Sequence, residues 1–358
     1  MIRRRRIKVL VVDDSAIVRK ILTDAISAED DLEVVGTAPD PFIARDKILA
    51  LKPDVLTLDI EMPRMDGITF LKKLMQHHPM PVIVISSLAQ ASCQVTLEAL
   101  RIGAVEVLAK PGGPYSVGDL TSELAVKIRA ATAARLDRSN APPAAAPIEP
   151  IHEHVPTPEM VIAIGASTGG TEAIERVLTR LPASSPGILI TQHIPPVFSR
   201  AFAERLNRNC RLEVREACDG DVVKPGLALV APGNVHMLLR RDPTGYRAQI
   251  KDGPRVCYQR PSVDVMFSSV AEAAGARSIG VLLTGMGSDG AQGMLRMKRA
   301  GAPTIAQDEA TSVVFGMPRE AIRLGAVDRV LPLSAIPSAI VRYVNRRAGA
   351  TLPSSAAT

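Results

Sequence analysis

The chain has 358 residues, 46% hydrophobic, 22% charged and 3% aromatic, with no Trp and a formal net charge of +6. That balance excludes wholesale disorder, and the length suits two domains at roughly 150 residues each. Scarce aromatics leave no stacking platform for single-stranded nucleic acid, and no apolar run is long enough for membrane insertion. The opening MIRRRR has the charge of an export signal, but the apolar run at 9–12 stops at Asp13 and Asp14, so export is not expected. Cys93, Cys210, Cys218 and Cys257 show no metal-ligand spacing and read as reduced thiols of a cytoplasmic protein.

In the first part, strand-like runs at 8–12, 33–36, 55–58, 82–85 and 105–108 alternate with helical spacing. The first helical stretch is 15–28, where Ile17, Val18, Ile21, Leu22, Ala25 and Ile26 recur on one face. Five βα units predict a flavodoxin-like, doubly wound, five-stranded parallel sheet with its chemistry at the carboxyl ends of the strands. Asp13, Asp14, Asp59, Ser86 and Lys110 fall at four such ends. Carboxylates gathered on one rim repel one another unless a hard cation such as Mg²⁺ neutralises them. A carboxylate beside that cation can attack a phosphoryl group, with Lys110 and Ser86 binding the transferred oxygens. A capping role explains one such Asp, but poorly explains five residues at four ends.

Residues 141–158, APPAAAPIEPIHEHVPTP, hold six prolines without apolar periodicity and read as a semi-extended linker. The expected organisation is a first domain at 1–134, a linker at 135–158, a second domain at 159–347 and a flexible tail at 348–358. Residues 1–158 carry 19 basic and 20 acidic side chains, against 24 and 17 in 159–358, a balance of +7 in the second part. Such a surface suits an acidic protein as well as nucleic acid.

In the second part, strands at 161–164, 187–192, 227–230, 279–283 and 304–306 alternate with helices. The runs 237–239 and 246–250 flank the turn signal Asp242-Pro243-Thr244-Gly245. This predicts an α/β domain with a mostly parallel sheet and an antiparallel hairpin. After its first strand comes Gly165-Ala166-Ser167-Thr168-Gly169-Gly170. A dinucleotide loop fails, because Ser167 stands where the second glycine must admit a pyrophosphate. Two readings stay open for this turn: a nucleophile elbow of the form GxSxG, or an ordinary N-cap serine. His193 ends the next strand, either on the same rim as Ser167 or as a core histidine. Asp289 sits in Thr284-Gly285-Met286-Gly287-Ser288-Asp289-Gly290, a loop shaped to place an acid or a plain Asp-Gly turn. Together the three supply a nucleophile, a base and an acid that orients the base. Their chain order, Ser, His, Asp, differs from that of an α/β-hydrolase.

Two resemblances follow. VVDDS, LDIEMPRMDG, ISS and LAKPGG make residues 6–130 similar to response-regulator receiver domains. That resemblance implies Asp59 as phospho-acceptor, Asp13, Asp14 and Asp59 as the Mg²⁺ site, Ser86 as switch hydroxyl and Lys110 as phosphate-binding lysine. Val107 stands where receivers often carry Tyr or Phe, so signalling through an aromatic rotamer is not expected. IGASTGG, QHIPPVFS, APGNVHM, VDVMFSSVA and LTGMGSDGAQG make residues 159–347 resemble the catalytic domain of the chemotaxis protein-glutamate methylesterase family. That resemblance implies Ser167 as nucleophile, His193 as general base, Asp289 behind it, and Thr168 with Met286 lining the oxyanion site. It further implies methyl-esterified glutamates and certain glutamines on cytoplasmic helices of chemoreceptors as substrates, with methanol or ammonia released. A chemotaxis histidine kinase is the implied phosphodonor, and no cofactor is expected in the esterase site. Phosphorylation of Asp59 is expected to relieve an autoinhibited enzyme. The rivals are a receiver-controlled DNA-binding regulator and a scaffold with a decayed site. The first needs a short basic helix-turn-helix where about 190 residues of α/β pattern stand. The second sits poorly with all three triad residues present.

Overall fold

A computed structural model of the chain describes residues 5–63, 65–87, 90–110, 117–134 and 159–351. Its contacts divide into two compact units, Met1–Asn140 and Ala141–Thr358. The expected linker lies outside the described residues, as do Pro111, Gly112 and Gly113 of the LAKPGG motif.

The first unit runs β1 (Ile7–Val12), α1 (Ala16–Ser27), β2 (Leu32–Ala38), α2 (Pro41–Leu51), β3 (Val55–Asp59), α3 (Gly67–His77), β4 (Val82–Ser86), α4 (Gln90–Ile102), β5 (Glu106–Ala109) and α5 (Val117–Ala133). The strand order is β2-β1-β3-β4-β5, and every pairing is parallel. Helices cover both faces of such a sheet, which is why β3 and β4 are buried at every position and read as apolar runs interrupted only by Thr57 before their polar last residues. The strands reach slightly beyond those runs, so Asp59 and Ser86 are the last residues of β3 and β4. Strand order reverses at β1, and the crevice there receives Asp13 from one strand and Asp59 from its neighbour.

The second unit runs β6 (Val161–Ala166), α6 (Gly170–Leu178), β7 (Gly187–Gln192), α7 (Phe198–Asn209), β8 (Glu213–Glu216), β9 (Val222–Val223), β10 (Leu227–Val230), β11 (His236–Asp242), β12 (Gly245–Lys251), α8 (Val263–Ala273), β13 (Ser278–Leu282), α9 (Ala291–Arg299), β14 (Thr304–Gln307), α10 (Met317–Arg323), β15 (Arg329–Leu331) and α11 (Ile336–Thr351). Seven strands form a parallel sheet in the order β15-β14-β13-β6-β7-β10-β8. β6 lies between β7 and β13, so order reverses there too, and the carboxyl ends of these three strands are neighbours. The hairpin β11–β12 pairs Asp242 with Gly245 across the turn and, with β9, makes a separate three-stranded antiparallel sheet. Its inner residues Met237, Leu239, Tyr246 and Ala248 join Met266, Phe267 and Val270 of α8 in one buried cluster. α11 continues to Thr351, four residues into the stretch expected as a flexible tail; residues 352–358 lie outside the described residues.

Gly67 opens α3 against the end of β3. A β-carbon there would collide with the Asp59 carbonyl oxygen and lie 3.1 Å from the Asp59 carbonyl carbon. Both are backbone, so no side chain can swing aside. Gly67→Ala should therefore destabilise the first unit by about 3 kcal/mol, read as a fall in its thermal transition while the second unit melts as before.

Candidate functional site

On the carboxyl-end rim of the first sheet, Asp13 and Asp59 are fully buried and Asp14 is exposed. One ligand oxygen from each lies within 4.8 Å of the other two. Lys110 Nζ sits 2.7 Å from Asp59 Oδ2 and 3.1 Å from Asp13 Oδ2. Burial pushes the Asp59 carboxyl up to about 6; Lys110 and the Glu61 N–H oppose it, and the Asp13 charge reinforces it. Burial also raises Asp13, against the pull of Lys110. Lys110 itself is held above its usual range because Asp59 and Asp13 outweigh its own desolvation. Ser86 is buried, and Thr96 Oγ1 donates to its Oγ at 2.9 Å. Val107 is buried in β5 opposite Val84. Three carboxylates facing one ammonium leave a negative excess of hard oxygen donors, and this set fits Mg²⁺. The folded pKa of Asp59 lies above 3.8, so the metal-free fold loses stability as pH rises from about 4 through 6. Mg²⁺ competes with that proton. Added Mg²⁺ should thus raise the melting temperature of the first unit clearly at pH 7.5 and hardly at pH 5, and Asp13→Asn should flatten the difference.

In the second unit, Ser167 follows β6, His193 follows β7 and Asp289 lies in the loop after β13; all three are buried. Ser167 is not the N-cap of α6. That position is Gly169, at φ +75°, with no side-chain cap. The left-handed residue of the turn is thus Gly169, and the strain expected of an elbow serine is absent at Ser167. Ser167 is held through its backbone: its N–H donates to Thr284 O at 3.0 Å, and its carbonyl accepts from Gln192 Nε2 at 2.9 Å. Gly285 lets the next loop close on it, since a β-carbon there would lie 2.7 Å from Ser167 Cβ. Met286 is half-buried beside this approach, and Thr168 is buried with its carbonyl accepting from Thr284 Oγ1 at 2.9 Å.

His193 Nε2 lies 2.7 Å from Asp289 Oδ2, while His193 Nδ1 is buried without a hydrogen-bond partner. Nε2 is therefore the protonated nitrogen and Nδ1 carries the lone pair, the reverse of the Nδ1–acid pairing in the serine-protease template. Asp289 accepts three further bonds: from Ser262 Oγ at 2.8 Å, Val263 N at 2.7 Å and Asp264 N at 3.0 Å. These donors are the N-cap and first turn of α8. Burial alone would raise the Asp289 carboxyl; the bond and charge of His193, with the Asp264 and Val263 amides, hold it below the usual range.

Sequence reasoning missed this support. Ser262 also receives structure from behind: its N–H donates to His236 Nδ1 at 3.2 Å, while His236 Nε2 bonds Pro254 O at 2.9 Å. The signal available was Ser262 itself, a cap residue directly ahead of an apolar helical run. Cys257 offers a third ligand-type atom within 4.8 Å of Asp264 and Asp289, although its spacing suggested no such grouping. Both Asp289 oxygens there are already engaged by donors.

A family model described as CheB methylesterase matches residues 162–340, and one described as response regulator receiver domain matches residues 9–120. The protein-glutamate methylesterase/protein-glutamine glutaminase 2 of Syntrophus aciditrophicus is 59% identical over 341 residues, covering 95% of this chain and 99% of that one. The chain belongs to the CheB methylesterase family. A protein-glutamate methylesterase/protein-glutamine glutaminase of Salmonella typhi is 52% identical, covering 95% of this chain and 97% of its own. The Thermotoga maritima CheB methylesterase catalytic domain aligns with a TM-score of 0.50 at 38% identity, over 51% of this chain and 97% of that one. This CheB-family chain thus joins a receiver to a methylesterase/glutaminase domain, and the matches lend no support to a DNA-binding output. Among the described residues, no helix is long and apolar enough to cross a membrane.

Proposed function

We propose that Ser167, His193 and Asp289 hydrolyse glutamate methyl esters and deamidate particular glutamines on the cytoplasmic helices of chemoreceptors. The observation that carries the reading is the buried, unpartnered His193 Nδ1, held in that tautomer by Asp289. Ser167 Oγ attacks the ester carbonyl carbon as its proton passes to Nδ1. The tetrahedral oxyanion is met by the Met286 N–H, which no acceptor takes among the described residues. Collapse expels the alkoxide, which leaves as methanol with the proton from Nδ1; a glutamine side chain would release ammonia by the same route. Water then attacks the acyl-serine, gives its proton to Nδ1, and frees glutamate and Ser167. In the imidazolium state, Asp289 balances the new charge without taking the proton.

Ser167→Ala should lower methanol release from methylated receptor on the order of 10⁴-fold or more without changing the melt. Asp289→Asn should cost a similar factor by favouring the wrong tautomer. A tenth of wild-type activity in either variant would place the chemistry elsewhere.

In the receiver, Asp59 is the proposed phospho-acceptor, with a chemotaxis histidine kinase as donor. Asp13, Asp14 and Asp59 would hold Mg²⁺, which when bound neutralises charge as the carboxylate meets the phosphoryl group. Lys110 Nζ and Ser86 Oγ bind phosphoryl oxygens, and Thr96 orients the Ser86 hydroxyl. Phosphorylation adds nearly two negative charges at a buried site and biases the unit between two states. A small phosphodonor should stimulate the esterase roughly ten- to a few hundred-fold, and Asp59→Asn should abolish the stimulation while leaving the basal rate.

A further inference from the structure

The last 30 residues of the sequence, 329–358, contain four arginines and no acidic side chain. Three of them, Arg329, Arg342 and Arg346, line a cavity of about 280 Å³ with Ala339 and Tyr343. On α11, Ala339, Arg342, Tyr343 and Arg346 follow the i, i+3, i+4, i+7 spacing of a single helix face. The facing wall is β15, an edge strand with β14 as its single partner in the sheet. Arg329, Arg342 and Arg346 are exposed, and no carboxylate among the described residues pairs with them. Asp328, the nearest acid in sequence, is already held by Lys298 at 3.1 Å and by Thr304 Oγ1 at 3.0 Å. Elsewhere on this unit exposed arginines do find acids, as Arg200 does with Glu204 and Arg323 with Glu320. Arg329 is the first residue of a strand in a parallel sheet, so the groove lies toward the rim opposite Ser167.

We infer that this groove docks a carboxylate-bearing helix of the receptor substrate, at a distance from the bond being hydrolysed. The inference rests on the receptor reading above. Ala339 is fully buried beneath the groove, and the exposed arginine stems with the half-buried Tyr343 ring give the partner helix an apolar floor. Arg342 and Arg346 stand one helical turn apart, matching glutamates one turn apart on the partner. Guanidinium forks bind carboxylates in bidentate fashion, and a cluster with no internal acid keeps all its donors for the ligand. Each turnover leaves a new glutamate on the receptor, so the groove favours segments that have already been processed.

The test uses the full chain in two arms. With Ser167→Ala in place, a dye-labelled helical peptide with glutamates one turn apart should bind at least about tenfold more tightly than its glutamine counterpart. Adding Arg329→Gln, Arg342→Gln and Arg346→Gln should erase that difference, and rising salt should weaken only the glutamate peptide. In the active chain, the same three substitutions should raise KM for methylated receptor about tenfold, leave kcat within about twofold, and leave hydrolysis of a short, otherwise uncharged glutamyl methyl ester peptide unchanged. Equal binding of the two peptides, or an unaltered KM, overturns the groove as a docking site. Displacement by inorganic phosphate or duplex DNA as readily as by the glutamate peptide overturns its assignment to an acidic helix. Absence of hydrolysis by the wild-type chain would overturn the esterase reading instead, while the binding arm still decides the groove.

Discussion

A single carboxylate organises the second unit. Asp289 accepts from His193, Ser262, Val263 and Asp264, so both oxygens are occupied and the side chain has no rotational freedom to lose. A buried anion in such surroundings is tolerable because every lone pair it presents meets a donor, two of them at the positive end of a helix. From that fixed point the order of construction runs outward. The acid sets the imidazole tautomer, the tautomer leaves Nδ1 as the basic nitrogen, and the adjacency of β13, β6 and β7 puts that nitrogen on the rim that carries Ser167.

The receiver solves the opposite problem. There the carboxylates lack enough donors: Asp13 and Asp59 are buried, share one lysine and are pushed toward their neutral forms. One unit spends its hydrogen bonds to keep an acid ionised. The other withholds them, leaving buried carboxyls that are pushed toward their neutral forms. That contrast separates an acid held constant from acids whose charge is easy to move.

The parallel strands were legible because both faces of each are buried, which makes runs such as 82–85 and 161–164 continuous in hydrophobicity. The same rule explains two of the three strands that escaped notice, β9 (Val222–Val223) being merely too short to show a pattern. β8, Glu-Val-Arg-Glu, and β15, Arg-Val-Leu, are sheet edges with one side open to solvent, and their polar residues hide the pattern. Ser167, His193 and Asp289 stood out by residue type and glycine-rich context. Ser262 did not, because a cap serine carries no mark of what its hydroxyl does beyond its own helix, and here it serves both: it accepts from Val265 N and donates to Asp289. The choice of His193 nitrogen was equally invisible, since it depends on the approach direction of a loop almost a hundred residues away in sequence.

The first turn of an isolated helix ordinarily frays, its leading amides trading protons with water because no carbonyl precedes them. In α8 those amides are committed to Asp289 and lie buried behind Ser262. The weakest part of a helix is here bonded and buried. Opening it means releasing Asp289, so melting of this end and loss of the His193 contact are one event, and the helix terminus acts as the fuse of the domain.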